Sequence, residues 1–571
     1  MGIRKSPDTE ESAAPRNKSQ EKPILIVYLF CIILMISSVA SLFISPDAIM
    51  LDDDGHVVVP FDMINKRMGN YSSGLVGGHT SSEIELLQLD SSSRLLVNNY
   101  DGYSLEVPSR WFLDDKEFGY VLHLRDGSTK ITLFKHGLNL SFERVSNYIW
   151  YSNDNIRKDY GPITRISDHT EIIGDREFTV VTYERDPITT IEDDMTQYRQ
   201  YHFNYGNMSV FSFILKTNST NWDSVIDQLE DSLSTLQIWD VDYQEDVSPV
   251  PQKSIDEVLL EGDSRTLHIP DGKKVFGLWH QTHEYYWSEM DELEEDVEYD
   301  FHFIMDYFNF RTTFSDTREY LEKQYVEGNV MLISLQPYVS SHGEDYDGNV
   351  VMFDMLNGEY DQYLIEWAVG LKDLGEPVFL RFGNEMNGDW TQWCSWFYGL
   401  DPDLFIMAWA RIHTIFEYIG ADNVQFVWNP HDRTYPDYDW QAPYLYYPGD
   451  DMVDWIGLTA YNNGVTRPTE VWRDFEECYS DLYDDYMRRF SSKPFMITEF
   501  ACNEIGGNKS EWIEEGFRSL FDNYPNIWMA VWWNGIDDTW IYDIDSSEGS
   551  LMAFKNAMKD PAVLKDPVTR E

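Results

Sequence analysis

The sequence predicts an α/β protein with a (β/α)8 TIM barrel at its C-terminal end. A smaller α+β antiparallel-sheet domain and an N-terminal transmembrane helix are predicted to precede the barrel. Three patterns support this prediction. Short apolar β-runs alternate with helical patterns from Val275 onward, short runs of alternating polarity fill residues 100–217, and an uncharged apolar stretch occupies residues 24–44. The 571 residues suffice for two or three domains of about 100–200 residues each.

The barrel is predicted from eight β-runs separated by helical patterns such as YDQYLIEWAVGLKDLG and FIMAWARIHTIFEYIG, both of which end at glycine. The runs are VFGLW (275–279), YDFHFIM (299–305), VMLISLQP (330–337), PVFLRFGNE (377–385), VQFVWNP (424–430), VDWIGLTAY (453–461), PFMITEF (494–500) and IWMAVWWNG (527–535). Active sites of such barrels lie where the strands end, at the C-terminal face. Glu385 and Glu499 end the fourth and seventh runs, so the two carboxylates are expected at this face.

Residues 24–44 (ILIVYLFCIILMISSVASLFI) are long and apolar enough to span a bilayer. Lysine and arginine precede the stretch and aspartates follow it, so the positive-inside rule places residues 1–23 in the cytoplasm. We expect a single-pass protein of the cell membrane with the bulk of the chain extracytoplasmic. A cleaved signal peptide is the alternative, since VAS at 39–41 resembles a small-residue cleavage site.

The extracytoplasmic part divides by composition. Residues 45–98 are rich in Ser, Gly and Asp and are expected to form a stalk, and residues 99–240 carry the α+β accessory domain, which an amphipathic helix at 222–237 closes. Residues 241–270, with VDYQEDVSPVPQK, are expected to be a linker, and residues 271–571 the barrel.

Charge and composition narrow the class of ligand. A formal net charge of -56 argues against nucleic acid or anionic lipid as a partner. Aromatic residues make up 15% of the chain, which favours a carbohydrate ligand because sugar faces stack on indole and phenol rings, although large barrels also bury many aromatics. No CxxC or HExxH spacing occurs, so neither a zinc site nor another cofactor is expected. The acidic loops 344–349 and 543–548 are weak calcium candidates, since acidic loops are common at this charge.

Two glutamates carry the candidate chemistry. RFGNEMNGDWTQW (381–393) places Glu385 beside Asn384 and among tryptophans, and KPFMITEF (493–500) carries Glu499 as its second-to-last residue. A retaining glycosidase needs such a pair, because one carboxyl protonates the leaving oxygen while the other attacks the anomeric carbon. Both could instead be surface carboxylates. Arg381 points into the barrel if Leu380 points outward, and a buried cation there would orient the carboxylates.

Four motifs in this order resemble glycoside hydrolase family 26, known for β-mannanases with some mixed-linkage β-glucanases and xylanases. They are LRFGNEMNGDWTQW, FVWNPHD, YYPGDDMVDWIGLTAYN and KPFMITEF, and the resemblance covers residues 275–544. It implies Glu385 as acid/base and Glu499 as nucleophile. It further implies a sugar-platform tryptophan at Trp390, a tyrosine that hydrogen-bonds the nucleophile at Tyr461, and a tryptophan that floors the cleavage subsite at Trp533.

Asn384 departs from the mannanases of this family, which usually carry histidine before the acid/base. Across the wider clan, an asparagine amide at this position binds the sugar 2-hydroxyl, so the departure modestly favours a gluco-configured polymer such as mixed-linkage β-glucan over β-mannan. Two further residues are substrate-binding candidates. His280 follows the first barrel strand and is equally interpretable as structural, and Trp393 could pack in the loops of the barrel mouth rather than bind a sugar.

GYSLEVPSRW, followed by a sheet and a terminal helix, weakly resembles PsbP-like domains over residues 99–239. No catalytic constellation is found there, so a spacer or interaction module is expected.

The sequence as a whole indicates a membrane-anchored retaining endo-β-glycanase that cleaves a β-1,4-containing polysaccharide. Two alternatives stay open: a non-catalytic polysaccharide-binding module, and a trimming subunit of a cell-envelope polysaccharide synthesis or export assembly with a synthase as partner.

Overall fold

The computed structural model describes residues 50–51, 57–58, 83–114, 121–138, 145–206, 209–241, 249–281, 287–339 and 350–570. The predicted cytoplasmic tail (1–23) and transmembrane segment (24–44) lie outside these ranges. Within them, no helix has the length and apolar character that crossing a membrane requires. The described residues fall into two compact units, divided between Val58 and Val59. The first contains a short antiparallel pair of strands, β1 (Met50–Leu51) and β2 (Val57–Val58).

The second unit begins with the antiparallel sheets of the accessory domain. Its strands are β3 (Ile84–Gln88), β4 (Ser93–Asn98), β5 (Tyr103–Pro108), β6 (Phe112–Asp114), β7 (Leu122–Asp126), β8 (Thr129–Gly137), β9 (Ile163–Ile173), β10 (Arg176–Arg185), β11 (Gln197–Tyr205), β12 (Ser209–Thr217) and β13 (Gln237–Ile238). One sheet has the order β13-β5-β4-β3 and the other the order β6-β7-β8-β12-β11-β10-β9. The β3–β4 hairpin lies within the stretch predicted as stalk.

The helices of this domain are α1 (Val145–Ser152), α2 (Asp154–Arg157) and α3 (Trp222–Ser234). Helix α3 buries Val225, Leu229 and Leu233, which recur every fourth residue and so share one face. This face packs on alternate buried residues of β5, and the two sheets and the helix enclose one hydrophobic core.

The barrel strands are β16 (Val275–His280), β17 (Phe303–Asn309), β18 (Val330–Gln336), β19 (Val378–Phe382), β20 (Val424–Trp428), β21 (Trp455–Asn462), β22 (Phe495–Cys502) and β23 (Ile527–Asn534). They are parallel, and β23 pairs with β16 to close the barrel, so the predicted TIM barrel is confirmed. Before it, β14 (Glu257–Glu261) and β15 (Arg265–Pro270) lie in the stretch predicted as linker and form a sheet with β26 (Val568–Arg570). After β23 comes a short hairpin of β24 (Ile536–Asp537) and β25 (Trp540–Ile541).

The barrel helices are α4 (Trp287–Val297), α5 (Phe314–Glu327), α6 (Val351–Leu356), α7 (Asp361–Leu374), α8 (Asp403–Ile419), α9 (Phe475–Phe490), α10 (Lys509–Asn523) and α11 (Glu548–Ala557). Short 3-10 helices occupy Ser395–Tyr398, Asp439–Gln441, Pro443–Tyr446 and Asp450–Met452. Helices α7 and α8 end at the glycines that the sequence indicated. Gly375 and Gly420 have φ values of 67° and 75°, a left-handed conformation that ends a helix at little cost for glycine.

The barrel interior changes character along its axis. A layer of large apolar side chains, including Phe303, Leu332 and Phe379, is fully buried. Two residues further along the strands, Ser334 and Arg381 replace them at inward positions and are also fully buried. Polar groups therefore collect beneath the C-terminal mouth, where loops can complete a site.

The accessory domain packs closely against the barrel within this unit. The ammonium of Lys130 lies 2.9 Å from the Asp403 carboxylate, and that of Lys216 lies 2.8 Å from Asp401. Tyr183 of β10 donates a 2.7 Å hydrogen bond to the carbonyl of Gly399. Because these charged partners are largely buried, their pairing ties the two domains together.

Candidate active site

Glu499 on β22 is buried beneath the barrel mouth with 4% of its surface exposed. Its Oε1 lies 2.6 Å from Nη1 of Arg381, and its Oε2 accepts a 2.5 Å hydrogen bond from the hydroxyl of Tyr461. The carboxylate also interacts with the hydroxyl of Tyr307 on β17. Burial and the charge of Glu499 raise the pKa of both tyrosines well above the usual value, so both hydroxyls stay protonated and donate. The carboxyl group of Glu499 is thus held at a fixed position by one cation and two hydroxyl groups.

Arg381 is fixed in turn by the strands on either side of it. Its Nε donates to Ser334 on β18 at 2.8 Å, and its Nη1 donates to Oδ1 of Asn429, after β20, at 2.9 Å. The guanidinium lies over the ring of Tyr307, 5.6 Å from its centroid. No part of the Arg381 side chain reaches solvent, so the cation acts on Glu499 without screening by water.

Glu385 lies in a tight turn that follows β19. Gly383 and Glu385 have φ values of 54° and 56°, the left-handed conformation that a glutamate rarely adopts. The turn is held by the amide of Glu385, which donates to the carbonyl of Asn429 at 2.8 Å. Strained backbone of this kind often marks functional positions, because only a specific surrounding structure maintains it.

The carboxyl of Glu385 is partly exposed at the mouth yet enclosed by protein atoms. Burial raises its pKa above the usual value, and the negative charge of Glu499 adds to the rise. Three neighbours lower the pKa of Glu385, but their combined effect is smaller than that of burial and Glu499. They are His431, the indole N–H of Trp390 and Arg381. The surroundings of Glu385 therefore favour its protonated form.

Trp390 exposes 44% of its surface beside Glu385, and its Nε1 donates to Oε2 of that carboxyl at 3.0 Å. Its ring meets His431 edge-on at 5.2 Å and Tyr435 at 6.0 Å. A Cβ on Gly388 would come within 2.4 Å of the indole, so glycine provides the space in which the ring lies. Trp390 is thus a large apolar face held in a fixed orientation next to a protonatable carboxyl.

Asn384 and Trp393, in and just after this turn, are joined by a hydrogen bond. The Oδ1 of Asn384 accepts from Nε2 of Gln336 at 3.0 Å, which orients its amide, and its carbonyl accepts from the Trp393 indole at 2.7 Å. Trp393 exposes only 4% of its surface and stacks against Tyr338. Its indole turns inward to hold the backbone of Asn384, which matches the packing alternative, and its contact with a sugar stays a prediction.

Trp533, at the end of β23, stacks on Trp279 of β16 with ring centroids 4.0 Å apart. Its edge meets Tyr542 at 5.7 Å. Both tryptophans are partly exposed, so together they form an aromatic wall at the mouth. His280 follows Trp279 directly, lies opposite Asn534 in the strand register and is partly exposed.

Several residues of this arrangement were not singled out from the sequence. They are Trp279, Ser334, Gln336, Tyr307, Tyr435 and Tyr542. Trp279 could have been found, because it ends the first β-run as Trp533 nearly ends the last. Tyr307 falls beyond the predicted second run, since β17 extends over Phe303–Asn309 rather than 299–305.

Among the described residues, no cluster of His, Cys, Asp and Glu has the geometry to hold a metal ion. The acidic loop 344–349 lies outside those residues. In the loop 543–548, the ammonium of Lys509 donates to the carbonyl of Asp543 at 2.7 Å and to Ser546 at 2.8 Å.

Residues 336–482 match the family model described as glycosyl hydrolase family 26. The barrel resembles this family. Endoglucanase H of Acetivibrio thermocellus is 32% identical over 259 residues, which cover 45% of this chain and 27% of the relative. The mannan endo-1,4-beta-mannosidase of Bacillus subtilis is 27% identical over 197 residues, or 32% of this chain and 46% of the relative. The chain thus spans less than half the length of these relatives.

Two solved structures match different parts of the chain. A GH26 beta-mannanase from Bacteroides ovatus has 18% identity and a TM-score of 0.39, covering 52% of this chain and 90% of that chain. Cyanobacterial PsbP from Synechocystis has 13% identity and a TM-score of 0.21, covering 28% of this chain and 96% of that chain.

Proposed function

We propose that the protein is a retaining endo-β-glycanase that hydrolyses a β-1,4-containing polysaccharide in the barrel mouth. The arrangement of two carboxyls in different environments carries the proposal. Glu499 is anchored by Arg381 and Tyr461, whereas burial and the charge of Glu499 raise the pKa of Glu385. A retaining glycosidase requires this division between an ionised nucleophile and a protonated acid. The resemblance to family 26 supports the same reaction class.

In the first step, a lone pair of the Glu499 carboxylate attacks the anomeric carbon while the glycosidic C–O bond breaks. Glu385 transfers its proton to the departing oxygen, and a covalent glycosyl-enzyme forms. Once the leaving sugar departs, Glu385 is a carboxylate and accepts a proton from water. The water oxygen bonds to the anomeric carbon as its proton passes to Glu385, and the bond between that carbon and Glu499 breaks, which releases Glu499 as a carboxylate. Two inversions give net retention.

The aromatic surfaces support a polysaccharide as the substrate. Trp390 and the Trp279–Trp533 pair offer apolar faces on which sugar rings can stack. We favour mixed-linkage β-1,3-1,4-glucan over β-mannan, because Asn384 stands where family mannanases carry histidine. The similarity to a protein named an endoglucanase supports this preference, and the similarity to a mannan endo-1,4-beta-mannosidase makes β-mannan the second polymer to test.

We also propose that residues 24–44 anchor the protein in the cell membrane, with the barrel on the extracytoplasmic side. The uncharged stretch and the basic residues before it support this placement. Protease treatment of intact cells should then degrade the barrel, and membrane fractions should retain the protein after a salt wash. Release of the uncleaved chain by salt would contradict the anchor.

The direct test measures reducing sugar released from mixed-linkage β-glucan, β-mannan and β-xylan by the full chain. Glu385→Gln and Glu499→Gln test the two roles, and Glu514→Gln, an exposed glutamate on α10, is the matched control. We expect turnover of one polymer, lost in both site variants and unchanged in the control. Proton NMR of the initial product should show the β-anomer first.

Wild-type activity in Glu499→Gln would refute the proposed mechanism. Binding of a polysaccharide without turnover by the wild type would instead support a non-catalytic binding module.

A further inference from the structure

The accessory domain reaches the turn that carries Glu385. Tyr151 on α1 donates its hydroxyl hydrogen bond to Oδ2 of Asp389. Asp389 immediately precedes Trp390, whose indole N–H donates to Oε2 of Glu385 at 3.0 Å. One hydrogen bond and one peptide unit therefore separate the accessory domain from the side chain that contacts the candidate acid.

Tyr151 is held firmly on its own side of the contact. Its ring stacks on Trp396 with centroids 5.0 Å apart and planes 7° from parallel. The Trp396 indole donates to the carbonyl of Tyr151 at 2.9 Å, and Asn155 of α2 donates to the carbonyl of Trp396 at 3.1 Å. The phenol hydroxyl thus has a defined position relative to the barrel.

Asp389 is held from the barrel side as well. Its amide donates to the carbonyl of Tyr435 at 3.0 Å, so the backbone of the turn is joined to the loop after β20. Its carboxyl is partly exposed, and burial raises its pKa while the hydrogen bond from Tyr151 lowers it. The hydrogen bond from Tyr151 therefore fixes the Asp389 side chain relative to the accessory domain, while the backbone bond to Tyr435 fixes its main chain.

We propose that Tyr151 is a positioning residue for the general acid, and that the accessory domain thereby forms part of the catalytic unit. Through Asp389, Tyr151 fixes the loop that follows Glu385 and the orientation of Trp390, and these place the proton of Glu385 against the glycosidic oxygen. This inference rests on the proposed role of Glu385. It assigns to the accessory domain a task beyond the spacer or interaction module expected from its sequence.

A purely structural role for Tyr151 predicts a different result. Tyr183 shows what such a role looks like, because its hydroxyl also donates from the accessory domain to the barrel, at the carbonyl of Gly399. Loss of an interface hydrogen bond alone would weaken folding or lower all activities in parallel. Loss of acid positioning would slow only those substrates whose leaving group needs a proton.

The experiment compares kcat/KM of the full chain for two substrates, as the wild type and as Tyr151→Phe, Tyr183→Phe and Glu385→Ala. One substrate is the polymer that the protein cleaves, with mixed-linkage β-glucan as the first choice. The other is the 2,4-dinitrophenyl β-glycoside of the matching disaccharide, whose leaving group departs as a stable anion without protonation. Because kcat/KM reports the first covalent step, the second half of the cycle does not enter the comparison.

We expect Tyr151→Phe to lower kcat/KM for the polymer about tenfold, as small displacements of catalytic groups do, and to change it less than about twofold for the aryl glycoside. Tyr183→Phe should leave the ratio of the two values unchanged. Glu385→Ala should show the same selective loss as Tyr151→Phe, to a greater extent. Far-UV circular dichroism establishes that each variant is folded.

An unchanged kcat/KM of Tyr151→Phe on the polymer would overturn the proposal, and so would a parallel loss on both substrates. The role of Glu385 is judged separately. Equal losses on both substrates in Glu385→Ala would overturn the acid assignment itself, whereas a selective loss there with no effect of Tyr151→Phe would overturn only the positioning role.

Discussion

Replacement of Arg381 by methionine tests the electrostatic anchor of the site. Arg381 is fully buried, Glu499 is 4% exposed, and their charged groups lie 2.6 Å apart. Methionine fills a similar volume without charge and leaves the Glu499 carboxylate buried beside two tyrosine hydroxyls. Removing one partner of a buried ion pair costs about 3–5 kcal/mol, so Arg381→Met should lower the free energy of unfolding by that amount.

The hydrogen bonds that Arg381 donates contribute less to this loss of stability than the unpaired carboxylate does. Asn429 keeps a 2.8 Å hydrogen bond from Thr498 to its Oδ1 when Arg381 is removed, so that oxygen is not left without a donor. Glu499→Gln leaves the Arg381 cation buried without its carboxylate, so it should also cost more than the double variant, although the amide oxygen still accepts from the guanidinium. In the double variant no buried charge is left, and the total loss should be only about 1–2 kcal/mol, the value of the hydrogen bonds.

Urea unfolding at pH 7, followed by tryptophan fluorescence, measures these differences on the wild type and the three variants. An unchanged slope of the free energy of unfolding against urea shows that all four proteins undergo the same transition. The double variant should be more stable than Arg381→Met by about 1–4 kcal/mol, because it leaves no buried carboxylate without its partner. Additive losses, or a loss below about 1 kcal/mol in Arg381→Met, would refute the electrostatic argument.

Two further predictions concern pH. Trp390→Phe removes the indole N–H that stabilises the ionised form of Glu385, so the pKa of Glu385 should rise. The alkaline limb of the pH profile of kcat/KM should therefore move to higher pH. An alkaline limb that stays in place or moves to lower pH contradicts this prediction. At the domain interface, burial raises the pKa of Asp403 but Lys130 and Lys216 outweigh it, leaving that pKa well below 3.8. The stabilising contribution is complete above the unfolded-state pKa and is lost as pH falls through the folded-state pKa. The stability difference between wild type and Asp403→Asn, measured by urea unfolding, should therefore be largest above pH 3.8 and narrow below it; a difference that widens in acid is the contrary result.

The barrel and its glutamates could be predicted from the sequence because their signals are local. A buried parallel strand is a short apolar run, and helices α7 and α8 each end at a glycine that is visible in the sequence. Glu385 ends one such run and Glu499 lies next to the end of another, so the fold places both near the mouth.

The directions of neighbouring side chains had no local signal. Trp390 and Trp393 are three residues apart in one loop, yet one is 44% exposed and the other 4%. The left-handed conformation of Gly383 and Glu385 redirects the chain just before them, and composition does not reveal it. Likewise, Lys130 pairs with Asp403 across 273 positions, so the docking of the two domains depends on packing that no short motif encodes.

The paired charges between the accessory domain and the barrel determine whether the barrel can be used without the accessory domain. A barrel expressed without the residues before it would expose Asp401 and Asp403 without their lysine partners. It would also lack the hydrogen bond that Tyr151 donates to Asp389. The two carboxylates lie side by side, so without the ammonium groups they would repel each other at the start of α8. The smallest transferable cassette is therefore the accessory domain and barrel together, and a graft of this barrel onto another anchor should carry the chain from about residue 83 onward.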